Sequence, residues 1–326
     1  MMKPVILLLT LLFTSVPLFI SDLTKDKLIV FSSLSNYGTD FDGDKIFDLA
    51  VWNPQTNTLY FQLTSDNKFY EKKFFDTRIN YQPVFADYDG DKKTDFAFFH
   101  PDSGQWIINL SSSPGHQKKE FLGSIGDFPI PTNIDGDTKY EASVWRPSAG
   151  AWLVTYKDEN TGEQRKFISY GVYQDSSFSA DYDGDGKTDL GAWRPDDGFW
   201  HIVKSGTGFD FNQSEHIQHG KEWDTIVPND YDGDGRCDLV LWRKSNQTWY
   251  FKYAKDGSQN EIKFGGVNDI PSSGDTDGDG IPELITWDPN DKKWNILNFK
   301  KQETLTYKWN VPGGCLPAIS ILQKIE

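Results

Sequence analysis

Cysteine is nearly absent from this chain. Two thiols in 326 residues, Cys237 and Cys315, exclude a disulfide framework, and the two read as unrelated. Histidine is scarce as well. His100, His116, His201, His216 and His219 form no catalytic or metal motif, and no Gly-x-Ser-x-Gly elbow occurs. Both shortages argue against an enzyme, although a pair of glycosidase-like carboxylates would leave no such motif. Basic residues are outnumbered, 33 Lys and Arg against 48 Asp and Glu, so there is no footprint for nucleic acid. Long apolar runs are missing with one exception, Pro4 to Ile20 behind Lys3. Thr10, Thr14, Ser15 and Pro17 interrupt that run, so residues 1–21 read as a secretory signal, with an uncleaved anchor as the alternative. No second membrane span is expected. The expected location is outside the cell or on its surface.

What the chain has in abundance is one acidic motif, written six times. The copies begin "DFDGDKIFD" at Asp40, "DYDGDKKTD" at Asp87, "NIDGDTKYE" at Asn133, "DYDGDGKTD" at Asp181, "DYDGDGRCD" at Asp230 and "DTDGDGIPE" at Asp275. Successive starts lie 47, 46, 48, 49 and 45 residues apart, a period that signals a repeat architecture. Within each repeat the motif runs into an apolar stretch such as "LVLW". A turn follows, then an aromatic stretch such as "WYFKY", a variable polar segment and an amphipathic stretch ending near glycine. Four short strands per repeat make one propeller blade. The expected fold is therefore all-β. Residues 22–326 would form a single β-propeller with repeats starting near 36, 83, 130, 177, 226 and 271. Six four-stranded blades are expected, and a seventh assembled from both chain ends is the alternative. "TLTYKWN" reads as a fourth strand, "LPAISIL" as the first strand of a further repeat, and "KLIVF" (Lys27 to Phe31) as an outer strand.

The aromatic residues keep the same register. Motif position 13 is Trp52, Phe99, Trp145, Trp193, Trp242 or Trp287, and seven residues later comes Leu59, Trp106, Trp152, Trp200, Trp249 or Trp294. Ten of the twelve tryptophans occupy these places, as two antiparallel strands facing neighbouring sheets would require. Packing between blades is the plain reading. The sharper one is that Trp145, Trp193 and Trp242, with the following Arg146, Arg194 and Arg243, line repeated sugar clefts.

The acidic loops read as metal sites. Position 1 is Asp40, Asp87, Asn133, Asp181, Asp230 or Asp275. Position 3 is Asp42, Asp89, Asp135, Asp183, Asp232 or Asp277, and position 5 is Asp44, Asp91, Asp137, Asp185, Asp234 or Asp279. Position 9 is Asp48, Asp95, Glu141, Asp189, Asp238 or Glu283. Glycine at position 4 lets the loop curl so that these oxygens converge. Hard oxygen ligands in a flexible cage select Ca²⁺, up to one ion per loop, and no histidine or cysteine sits on a ligand position. An EF-hand is excluded, because it needs Glu at position 12, where this chain has Val51, Phe98, Val144, Ala192, Leu241 and Thr286. An Asx-rich turn without metal is the competing explanation. Six divalent ions would bring the formal charge of −15 to −3. The third loop, with Asn133 and Glu141, carries the least charge and is expected to bind most weakly.

Together with the preceding "YG", "HG" and "FGG", these motifs resemble the FG-GAP/VCBS-type repeat of integrin α-subunit-like β-propellers. The likeness spans nearly all of the chain after the N-terminal segment. It is less regular in the first and last blades, where "FFD" and "KWN" replace the FG element. The resemblance implies a secreted or cell-surface propeller whose blade loops bind Ca²⁺ through the residues above. It is compatible with adhesion or binding to an extracellular protein or glycan, and with a lectin. The variable segments Ser111 to Lys119, Tyr156 to Lys166 and Lys204 to His216 are candidate recognition loops.

Overall fold

A strand buried on both faces needs a near-continuous apolar run, and each repeat supplies one immediately after its acidic loop. In the computed structural model, which describes residues 27–32, 39–75, 81–158, 162–318 and 320–325, these runs are the second strands of six four-stranded antiparallel sheets. In the fifth sheet the order is Asp224–Ile226, Leu239–Arg243, Thr248–Lys252 and Gln259–Lys263. Inner strands such as Ser176–Ala180 and Ile270–Gly274 are wholly buried, whereas outer strands such as Phe69–Lys73 are mostly exposed. The sheets are thus blades of a six-bladed β-propeller. Helix is confined to three short 3₁₀ turns among the described residues. The segment read as a secretory signal lies outside those residues.

The apolar residues form five clusters that together fill the six interfaces between blades. The tryptophan register explains how. Trp145 pairs with Trp152 across neighbouring strands, Trp193 with Trp200, Trp242 with Trp249 and Trp287 with Trp294. All eight rings are at most 1% exposed. Trp242 and Trp249 both donate their indole N–H to the Phe264 carbonyl at 3.2 Å. Cys237 and Cys315 are free and buried in different clusters.

Both chain ends close the ring. Leu316–Pro317 adds the inner strand to the first blade, whose other strands are Leu49–Asn53, Thr58–Gln62 and Phe69–Lys73. Leu316 pairs with Trp52, and Ala318 N–H donates to the Ala50 carbonyl at 3.0 Å. The expectation that Lys27 to Phe31 forms an outer strand is corrected. Lys27–Ser32 pairs with Ser320–Ile325 in a separate two-stranded ribbon, beside the inner strands of blades four, five and six. Outer strands here are polar and solvated, a composition that the Leu28–Phe31 run does not share. The C-terminal run, by contrast, does supply an inner strand.

If the paired indoles hold neighbouring blades together, Trp242→Ala should cost about 3–5 kcal/mol in urea denaturation. Trp223→Ala, at an exposed turn, should stay within about 0.5 kcal/mol. Similar losses for both would refute the packing role.

Candidate metal centres

In blades two to six the acidic motif connects the inner strand to the second strand, and in blade one, whose inner strand is Leu316–Pro317, it leads into the second strand. Every motif thus enters a second strand, and all six lie on one face of the ring. The loop curls as its glycine predicts, with φ between +77° and +82° at position 4 in every copy. Position 6 is also left-handed in all six, which sequence reasoning missed. Three copies place glycine there, but Lys45, Lys92 and Thr138 adopt φ of 71°, 69° and 79°. Such a conformation costs roughly 1–2 kcal/mol without glycine.

Position 1 organises the curl. In the fifth loop Asp230 Oδ1 accepts N–H bonds from Gly233 at 2.8 Å and Asp234 at 3.1 Å, while Oδ2 accepts from Gly235 at 2.8 Å. Position 9 ties the loop to its blade. Asp238 Oδ2 accepts from Tyr231 N–H at 2.9 Å, and Oδ1 accepts from Ala254 N–H at 2.8 Å, in the turn between the third and fourth strands. The same turn anchor recurs at Asp48, Asp95 and Asp189. Carboxylate oxygens from at least three residues come within 4.8 Å of one another in each of loops one to five, for example Asp40, Asp42 and Asp48, or Asp135, Asp137 and Glu141. In each of these loops the structure thus brings together three of the four predicted residues, the fourth being Asp44, Asp91, Asn133, Asp185 or Asp238.

Neighbouring loops also bind one another. The N–H of position 8 donates to the position 1 carbonyl of the preceding loop: Thr94 to Asp40 at 2.7 Å, Tyr140 to Asp87 at 2.8 Å, Thr188 to Asn133 at 2.8 Å and Cys237 to Asp181 at 2.7 Å. Phe47 to Asp275, at 2.6 Å, joins the first loop to the sixth. Only the link from loop six to loop five cannot form, because position 8 there is Pro282, which has no N–H. Side chains at position 7 complete the collar. Lys93, Lys139, Lys187, Arg236, Ile281 and Ile46 each cross the position 4 glycine of the preceding loop, where an added Cβ would meet them at 2.9–3.6 Å.

Burial raises the position 9 carboxyls strongly. Asp48, Asp238 and Glu283 are pushed up to about 7, Asp95 and Asp189 to about 6 and Glu141 to about 8. Desolvation is the largest cause, and neighbouring carboxylates add to it. Asp183 Oδ1 in the fourth loop is buried with no hydrogen-bond partner. An oxygen-only donor set with an orphaned carboxylate oxygen fits a hard divalent cation.

The other candidates lie elsewhere. Trp145, Trp193 and Trp242 are buried between blades rather than lining clefts. Arg146, Arg194 and Arg243 form ion pairs of 2.7–2.9 Å with buried Asp127, Asp175 and Asp224. The partner aspartates were not singled out from sequence, although a repeated spacing of 19 residues before the arginine marks them. Of the variable segments, Ser111 to Lys119 and Lys204 to His216 contribute Ser111, Ser112 and Ser205 hydroxyls to loop carboxylates. The described parts of the segment Tyr156 to Lys166 belong to the paired strands Ala151–Asp158 and Gly162–Ser169.

The FG-GAP-like repeat family profile matches residues 40–98, 181–241 and 230–286. Direct sequence comparison with curated proteins gives no match. Among solved structures, an Agrocybe aegerita lectin that recognises non-reducing terminal N-acetylglucosamine is similar, with a TM-score of 0.55 and 13% identity. The match covers 81% of this chain and 85% of the lectin. A streptogramin B lyase is similar at a TM-score of 0.50 and 10% identity, covering 87% of this chain and 88% of its own. At these identities the likeness is one of fold.

The raised carboxyls make a pH prediction. Without metal the folded chain holds protons that the unfolded chain has released, so this stabilisation is full below the ordinary carboxyl range and lost as pH rises through about 6 to 8. In EDTA the melting temperature should therefore fall between pH 5 and pH 8, and excess Ca²⁺ should abolish that fall. Superimposable profiles with and without Ca²⁺ would contradict metal binding at these loops.

Proposed function

Because the chain belongs to the FG-GAP-like repeat family, we propose that it is a calcium-stabilised β-propeller, exported from the cell, that acts as a binding module for a protein or glycan. The carboxylates at positions 1, 3, 5 and 9, with Asn133 in the third loop, would hold the ions. Bound Ca²⁺ supplies positive charge where the loop oxygens crowd, and its binding free energy becomes folding free energy. The apolar N-terminal run supports export, which would suit loops that need extracellular calcium to fill.

The observation that carries the binding role is on the opposite face. Strands alternate in direction, so the metal loops share their face with the turns between third and fourth strands. The connections from one blade to the next emerge on the other side. There, successive connections present Ile125, Tyr173, Trp223 and Val267, each between 58% and 77% exposed. Trp223 holds a left-handed φ of 74°, uncommon for so bulky a residue. Its turn is held by Lys221 N–H donating to Asp224 Oδ2 at 2.9 Å and by the Asp224–Arg243 pair. Repeated exposed apolar and aromatic side chains on a rigid face mark a recognition surface. A sugar ring or a protein side chain would each pack on Tyr173 and Trp223.

A lectin is the nearer alternative, but its recognition would use this face rather than the buried tryptophans. Catalysis has less support, because 23 of the 48 acidic residues belong to the loops and the five histidines form no motif.

Glycan arrays and pull-downs with the full chain should yield a partner. Tyr173→Ala combined with Trp223→Ala should weaken its capture at least tenfold while the melting temperature is unchanged. Undiminished capture by the double variant would exclude this face.

A further inference from the structure

The six loops are not equivalent, and the sixth departs at the groups that face its carboxylates. We propose that the sixth loop carries its own cation, the Lys301 ammonium, and therefore takes no calcium ion. The inference rests on the calcium reading of the other loops. Lys301 follows the third strand of the sixth blade, in the turn that overhangs the loop. Its Nζ lies 2.5 Å from Asp277 Oδ2 and 3.2 Å from Asp279 Oδ2, joining positions 3 and 5. Asn298 Nδ2 donates to Asp277 Oδ2 at 2.7 Å and to Glu283 Oε1 at 3.0 Å, so position 9 is engaged as well. Lys301 N–H donates to Asn298 Oδ1 at 2.8 Å, which sets the two side chains in register over the loop.

The corresponding turns of blades one, two and four use a different chemistry. Ser65 faces Asp42, Ser111 faces Asp91, Ser112 faces Asp89, and Ser205 faces Asp185 and Asp189. A hydroxyl is neutral, and its oxygen is itself a ligand for a hard cation. An ammonium is a positive charge with donors only. Lys204, in the corresponding turn of blade four, pairs instead with Glu215 at 2.6 Å. Among the described residues, no lysine or arginine ion pair reaches the carboxylates of loops one to five. A divalent ion entering the sixth loop would meet an ammonium already seated on two of its oxygens, and like charges at that range repel strongly. Loop six is also the loop whose Pro282 breaks the collar, so its neighbour on that side holds it less firmly.

Calcium per chain, counted by native mass spectrometry and by elemental analysis of the full chain in excess Ca²⁺, tests this. Lys301→Met should bind one ion more than the unaltered chain, and Lys301→Arg should bind no more. Asp277→Asn should leave the unaltered count unchanged, whereas Asp89→Asn should lower it by one. Equal, non-zero counts in the unaltered chain and Lys301→Met, or a lost ion in Asp277→Asn, would overturn the inference. No bound calcium in any variant would defeat the underlying calcium reading, and that result is distinct from equal counts.

Discussion

Carboxylates crowded into nine residues repel one another, and this chain repeats the crowding at six places around one ring. Near a protein surface, two like charges 4 Å apart cost about 4 kcal/mol. A single backbone hydrogen bond returns only about 0.5–1.5 kcal/mol. The loops answer with numbers. In the fifth loop the position 1 carboxylate accepts three N–H bonds and the position 9 carboxylate two. Even so, burial holds the position 9 carboxyls well above their ordinary range. The hydrogen bonds shape each site, and the bound cation we propose would complete it.

That local constraint reaches the whole fold through the collar. The ring depends on contacts between adjacent blades, which here are paired aromatic rings in the sheets and N–H bonds between the loops. Each loop presents its position 1 carbonyl to the next, so a loop distorted by unscreened charge would disturb its neighbour. The C-terminal Leu316–Pro317 strand closes the first blade, and the loop bond from Phe47 to Asp275 spans the same junction. The junction between blades five and six lacks such a bond because of Pro282, and there the packing cluster of Trp242, Trp249 and Leu284 carries the contact.

Repetition also separates the two faces. One face gathers the acidic loops and the hydroxyl-bearing turns above them. The other gathers the arginine–aspartate pairs and the exposed apolar connections. In blades three, four and five the arginine that follows the tryptophan is fixed by a buried aspartate, so its contribution is to hold a turn, with the exposed residue carried on that turn. In the sixth blade Asp288 takes the arginine's place, and Asp269 turns to Thr286 Oγ1 at 2.6 Å instead.

Much was legible in the sequence because the signals are short-range and repeated. The spacing of the motifs sets six blades, the glycine at position 4 predicts a left-handed turn, and alternate carboxylates within nine residues must converge if the loop curls. The seven-residue step between aromatic positions foretells their cross-strand pairing. What tertiary structure alone decided are the meetings between distant segments. The collar joins residues in successive repeats, Asp127, Asp175 and Asp224 meet arginines across a blade, and Lys301 reaches a loop more than twenty residues earlier. The terminal strands show the division plainly. Composition marks Lys27–Ser32 and Leu316–Pro317 as strands, but hydrogen-bond partners are set by which edges remain open once six blades have closed.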